Sequence, residues 1–147
     1  MQTITPFLWF DGKADEAMKF YVSVFKNSKV TNVTPGPNGT LMSATFELFG
    51  QRFMALNGGP MFAFTPAISF LVNCDTQGEV DELWEKLSEG GKKERCGWLK
   101  DKFGLSWQVV PAILGKLLQD QDGEKAKRVV AAMLQMDKLD IERLSHA

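Results

Sequence analysis

The chain runs twice through the same order of elements, and that repeat limits its fold more than any other feature: an apolar strand-like run, an amphipathic helix, then further strand-like runs. In the first round, residues 4–10 form a short aromatic-rich run that reads as a buried strand. Asp11-Gly12 supplies a turn. A helix is predicted over about residues 14–25, with Ala17, Met18, Tyr21, Val24 and Phe25 at the spacing of one buried face. Residues 28–34 read as a strand and Pro35-Gly36-Pro37-Asn38-Gly39 as a loop. Residues 40–49 and 52–57 read as a hairpin about Gly50-Gln51.

The second round opens with a strand at 67–74 and a cap at Asp75-Thr76. Its helix spans 79–87, with Val80, Leu83, Trp84 and Leu87 on one face and Gly90-Gly91 ending it. Residues 92–99 and 105–111 then flank a hairpin-like turn at 101–104. Sliding the chain by 63 residues sets Phe7-Leu8 on Phe70-Leu71 and Phe20-Tyr21 on Leu83-Trp84. After Val110 the pattern becomes helical: Pro111 suits a first turn of a helix to about 119, a second covers 124–136, and a short third covers 140–144. These helices carry no evident chemistry and are expected to pack and to buttress a dimer. One domain is expected over 1–147, with modules at 1–60 and 61–111 and a helical tail at 112–147.

Composition narrows the chemistry. The chain of 147 residues is 44% hydrophobic and 24% charged, enough for one ordinary core and too apolar for disorder. Seventeen basic against eighteen acidic residues leave a net charge of −1, which argues against a nucleic-acid or anionic-membrane partner. No apolar run approaches the ~20 residues that span a bilayer, and the first residues lack a basic leader. The one histidine is His146, so Ser-His-Asp triads and His-rich zinc sites are excluded. Cys74 and Cys96 are too few for a disulfide framework and read as reduced, inert thiols in a cytoplasmic protein.

Several segments together resemble a known family. Ile4-Thr5-Pro6-Phe7-Leu8-Trp9-Phe10 with Asp15-Glu16-Ala17 and Phe20-Tyr21 is similar to the opening of the PhnB-like proteins, a branch of the glyoxalase/bleomycin-resistance (vicinal oxygen chelate) superfamily. The likeness continues in Ala55-Leu56-Asn57-Gly58-Gly59-Pro60, Ile68-Ser69-Phe70, Cys74-Asp75, Cys96-Gly97-Trp98-Leu99-Lys100-Asp101 and Gly104-Leu105-Ser106-Trp107-Gln108-Val109-Val110-Pro111. It is read as covering nearly the whole chain, tail included. The resemblance implies an α+β fold of paired βαβββ modules, with two cups joined into one cavity, usually in a homodimer. The branch is often labelled demethylubiquinone 3-methyltransferase, yet no glycine-rich strand–turn–helix loop is present to hold S-adenosylmethionine, since Gly58-Gly59-Pro60 does not open a helix.

The resemblance also implies a divalent metal held by His, Glu or Gln in the cup, and this chain departs from that pattern. The Glu expected four residues after Gly104 is Gln108, the His expected in the second module falls near Ala67, and the first strand offers Pro6. A site of Gln108 with Asn57 or Ser69 has no charge to offset the dehydration of a dication. The usual cofactor is therefore expected to be absent, a metal at Gln108 being the alternative.

Other charged residues read as ordinary surface. Glu47 is assigned to a solvated strand face, Asp101 to a turn beside Lys100 and Lys102, and Glu79, Asp81, Glu82 and Glu85 to a polar helix face. Trp9, Trp98, Trp107, Phe62, Phe64 and Phe103 are candidates for the rim of a cup suited to a flat or cationic organic ligand. If Gln108 faces the cavity, Ser106 and Val110 do too, while Trp107 and Val109 pack on a helix. The first strand leaves two choices open: Pro6, Leu8 and Phe10 inward, or Thr5, Phe7 and Trp9. The candidate ligand-cavity residues are Trp9, Asn57, Ser69, Ser106 and Gln108; no catalytic residue is assigned. The expected function is that of a bacterial-type, cytoplasmic homodimer binding a small organic molecule without metal. The alternatives are a metal-dependent lyase, isomerase or dioxygenase, the labelled methyltransferase, or a dimeric scaffold with a filled cavity.

Overall fold

The computed structural model describes residues 2–147 and contains two compact units, one ending at Ala63 and one spanning Phe64–Ala147. The first unit comprises β1 (Phe7–Phe10), α1 (Ala14–Val24), β2 (Lys29–Pro35), β3 (Leu41–Leu48) and β4 (Gln51–Asn57). Its sheet has the order β1-β4-β3-β2, with β1 parallel to β4 and the other pairs antiparallel. The second unit repeats this with β5 (Ser69–Cys74), α2 (Gln77–Ser88), β6 (Lys92–Lys93), β7 (Trp98–Lys100) and β8 (Ser106–Pro111), in the order β5-β8-β7-β6. Three helices follow: α3 (Ile113–Leu118), α4 (Gly123–Met133) and α5 (Ile141–Ser145). Both modules are therefore βαβββ, and the α+β class implied by the resemblance is the one observed.

Alternation along the strands divides each sheet into a helix-covered face and an open face. In the first unit Leu8, Phe10, Ala44, Phe46, Phe53 and Ala55 are buried with Ala17, Met18 and Tyr21 of α1. The rings of Tyr21, Phe46 and Phe53 stack in sequence, with centroids 6.3 and 5.6 Å apart. Burying each such ring contributes roughly 1.5–3 kcal/mol. This settles the first strand: Leu8 and Phe10 pack on the helix, and Phe7 and Trp9 lie on the opposite face. The 63-residue slide is therefore out of step in the strands, because it sets helix-facing Leu8 on Leu71, which is 50% exposed. It does match the buried faces of α1 and α2, Ala17 with Val80 and Tyr21 with Trp84.

In the second unit Phe70, Leu99, Trp107 and Val109 share the face that α2 covers with Val80, Leu83, Trp84 and Leu87. Thr76 caps α2 by accepting from the Glu79 N–H, and Glu79 reaches back to the Asp75 N–H, a reciprocal box that starts the helix at Gln77.

The expected strand over 92–99 is split into β6 and β7, because Cys96 (φ 59°) and Gly97 (φ 82°) turn out of the ladder. Their N–H groups donate instead to the Met136 and Asp137 carbonyls of the tail, at 2.8 and 2.7 Å. A Cβ on Gly97 would lie 2.7 Å from the Val109 carbonyl oxygen, so only glycine fits that approach. Pro111 likewise ends β8, paired with Cys74, rather than opening a helix. The tail buries Leu114, Leu117, Val129, Met136, Leu139 and Leu144 with Val110. Gln77 fastens it by donating to the Leu139 carbonyl and accepting from the Ile141 N–H. Among the described residues no helix is long and apolar enough to cross a membrane.

Candidate functional site

The open face of the first sheet is ordered in rows by the strand register. Phe7, Met54, Thr45 and Asn32 form one row, and Trp9, Leu56, Ser43 and Thr34 the next. Trp9 is fixed on three sides. Its Nε1–H donates to the Gly59 carbonyl at 2.9 Å, and the Phe62 ring meets it edge-on at 5.0 Å. The third side is Gly58, where any Cβ would overlap the indole. Its polar atom is thus engaged, and what remains is an aromatic surface. Glu47 belongs to this open face, opposite Arg52, with Lys29 3.8 Å away across the edge.

Asn57 has a structural task that its spacing does not reveal. Its Oδ1 accepts from the Ala14 N–H at 2.9 Å and its Nδ2 donates to the Leu41 carbonyl at 3.0 Å. Lys13, at the N-cap of α1, supplies no side-chain cap, so Asn57 fills that role from 43 residues away.

The open face of the second sheet carries the other three candidates. Ser69 is paired with Ser106 in the β5–β8 ladder, Gln108 stands opposite Trp98, and Lys100 stands opposite Ser106. Gln108 Nε2 donates to Ser69 Oγ at 3.0 Å. Ser106 is 0% exposed, and its Oγ is buried without a hydrogen-bond partner. Val110, on the same side, is covered by the tail cluster. Trp107 turns the other way and is 3% exposed, so it belongs to the core and not to a rim.

Trp107 is instead bound to Asp101, which is 2% exposed, not a surface charge. The Asp101 carboxylate accepts from the Phe103 and Leu105 N–H groups and from Trp107 Nε1–H, at 2.8, 3.1 and 2.9 Å. These three donors replace water, which is why a carboxylate flanked by lysines can sit inside. The signal was an Asp two and four residues before backbone donors in a turn, with an indole two residues further on.

Neither open face offers a divalent cation what it needs. The second presents two hydroxyls and an amide that is already donating, and no carboxylate or imidazole joins them in the rows of Ser69, Ser106 and Gln108. Among the described residues no three His, Cys, Asp or Glu side chains gather to hold a metal ion. This donor set does not fit the metal that the fold family implies. Cys74 is buried, and burial foremost, then the Glu79 and Asp75 charges, pushes its thiol up to about 11, the opposite of an activated nucleophile.

The sequence profile of the family described as 3-demethylubiquinone-9 3-methyltransferase matches residues 2–110. The chain is similar to the PhnB protein of Bacillus cereus, which bears the same methyltransferase name, at 40% identity and a TM-score of 0.72. That match covers 76% of this chain and 100% of the other. A Pseudomonas aeruginosa protein shares the fold at 22% identity and a TM-score of 0.65, over 76% of this chain and 98% of its own. The fosfomycin resistance protein FosX of Listeria monocytogenes, in complex with Mn(II) and sulfate, shares it at 14% identity and 0.57, over 81% and 98%. No curated protein matches the chain. The family match stops at Val110, before α3 begins. The chain belongs to the 3-demethylubiquinone-9 3-methyltransferase, or PhnB-like, family.

Proposed function

We propose that this protein binds a small, flat organic molecule in an aromatic-lined cavity and does so without a divalent metal, acting as a cytoplasmic homodimer. The observation that carries the reading is the character of the open sheet faces. Where a metal enzyme of this fold would present charged ligands, the open face of the second unit presents Trp98 with neutral Ser69 and Gln108. Aromatic surface with a few fixed polar groups is the usual make-up of a small-molecule site. The methyltransferase activity in the family's name would require a cradle for its methyl donor. The Asn57-Gly58-Gly59-Pro60 segment instead clasps Trp9 and caps α1.

Thermal-shift titrations with indole, benzoate, benzamide and benzylamine, and separately with Mn(II), Zn(II) and S-adenosylmethionine, test the reading. An aromatic probe should raise the midpoint in a concentration-dependent way, whereas neither metal nor S-adenosylmethionine should. Stoichiometric metal binding that Gln108→Ala abolishes would overturn it, as would stabilisation by S-adenosylmethionine or by none of the aromatic probes.

A further inference from the structure

The start of α1 and the turn between β2 and β3 enclose a cleft of about 830 Å³, within the roughly 300–1,000 Å³ of small-molecule sites. It lies on the helix side of the first sheet, not on the open face. Val33 shares its row with buried Leu8, Ala44 and Ala55, and Met42 precedes Ala44 by two residues. Yet Val33 is 48% and Met42 52% exposed, so α1 leaves this end of its own face uncovered. Both walls are fixed. Asn57, which also lines the cleft, ties them together through the Ala14 N–H of α1 and the Leu41 carbonyl of β3. The turn wall is braced by the Gly36 N–H on the Thr40 carbonyl and the Thr40 N–H on the Pro37 carbonyl. Pro35 and Pro37 stiffen it further. The charged side chains lining this cleft are Asp11 and Asp15, both acidic. Among the described residues Asp11 has no hydrogen-bond or ion-pair partner. Asp15 is held by Lys19 at 3.1 Å, but both side chains are more than half exposed, and such a pair is weak enough for another cation to displace. An anion would find no welcome, since the Ala14 N–H at the helix start is already taken by Asn57.

We propose that this cleft binds a small organic cation. An ammonium or amidinium group pairs with the Asp11 and Asp15 carboxylates, and the apolar body of the same molecule lies against Val33, Met42 and the two prolines. This is a second site, on the other side of the sheet from Trp9, and it does not rest on the open-face reading above.

The test titrates the whole protein with benzamidine, neutral benzamide and anionic benzoate, read by calorimetry and by backbone amide NMR shifts. Benzamidine should shift the amides of residues 11–15 and 33–42, leave those of Ser69 and Gln108 in place, and bind more weakly as salt rises. The same 11–15 and 33–42 amides should respond to benzamide and benzoate only at concentrations about 10-fold higher or more. Asp11→Asn combined with Asp15→Asn should weaken benzamidine about 10-fold and leave the unfolding midpoint unchanged, because both side chains are exposed. Met42→Lys, also at an exposed position, should abolish binding by placing a competing ammonium in the cleft. Absence of benzamidine binding overturns the proposal, as does unchanged affinity in the double variant. Shifts confined to the open sheet faces overturn it too, while leaving the open-face reading standing.

Discussion

The two units share one strand order but complete it by different means. The first builds a sheet of strands 4, 7, 8 and 7 residues long, and its core is closed by α1 with a column of stacked rings. The second has strands of 6, 2, 3 and 6 residues, and part of its backbone pairs with the tail rather than with a neighbouring strand. Topology therefore does not set where a module's stability resides. The first unit's long ladders pair with one another, whereas the second, with a two-residue edge strand, draws hydrogen bonds and apolar cover from the tail.

The largest effect should come from the residue that joins tail to module. Leu139 is fully buried and packs at Gly97, so Leu139→Ala should destabilise the second unit by about 2–5 kcal/mol. Hydrogen exchange should show the loss in β7, β8 and the tail helices and leave β3 and β4 protected. Equal loss in both units would break the contrast drawn between them.

A smaller pair of changes sharpens it. Asn57 and Gln77 are both amides that make two backbone hydrogen bonds over long sequence distances. Asn57→Ala and Gln77→Ala should each cost about 1–2 kcal/mol in denaturant unfolding. Fraying should appear at the start of α1 in the first case and at Leu139–Ile141 in the second. If Asn57→Ala instead removed ligand binding with no stability cost, its role as a cap would be refuted.

The smallest effect is chemical. Cys74 is buried with its thiol pushed up to about 11, and Cys96 is partly exposed, so iodoacetamide at pH 8 should label Cys96 alone. Because the Cys74 proton is held more tightly in the folded chain than at its ordinary value of 9.0, the unfolded chain loses it first. Its contribution is complete below pH 9 and is lost as the pH rises towards 11. Cys74→Ala should flatten that part of the stability profile.

The helices of both modules were legible because each needs only its own spacing: Tyr21 and Trp84 mark buried faces that a 3.6-residue period reveals. The hairpin of β3 and β4 was legible from Gly50, and the parity of Ser106, Gln108 and Val110 followed from simple alternation. Less was legible at the site. The role of Asn57 depends on an N–H 43 residues away, and the burial of Asp101 depends on how a turn folds back over one carboxylate. The unpaired state of Ser106 is a property of everything around it, so no pattern of neighbours along the chain could reveal it.

By itself the sequence determined the repeat, the faces of its helices and that its one histidine is His146. Those follow from local period and residue type. Tertiary structure alone decided which half of Phe7-Leu8-Trp9-Phe10 meets α1, since both halves are apolar and a one-residue shift exchanges the faces. It also decided that Cys96 and Gly97 leave their strand, because the carbonyls that draw them away belong to the tail. In each case the deciding partner lies far along the chain, where only the folded backbone brings it within hydrogen-bonding or packing distance.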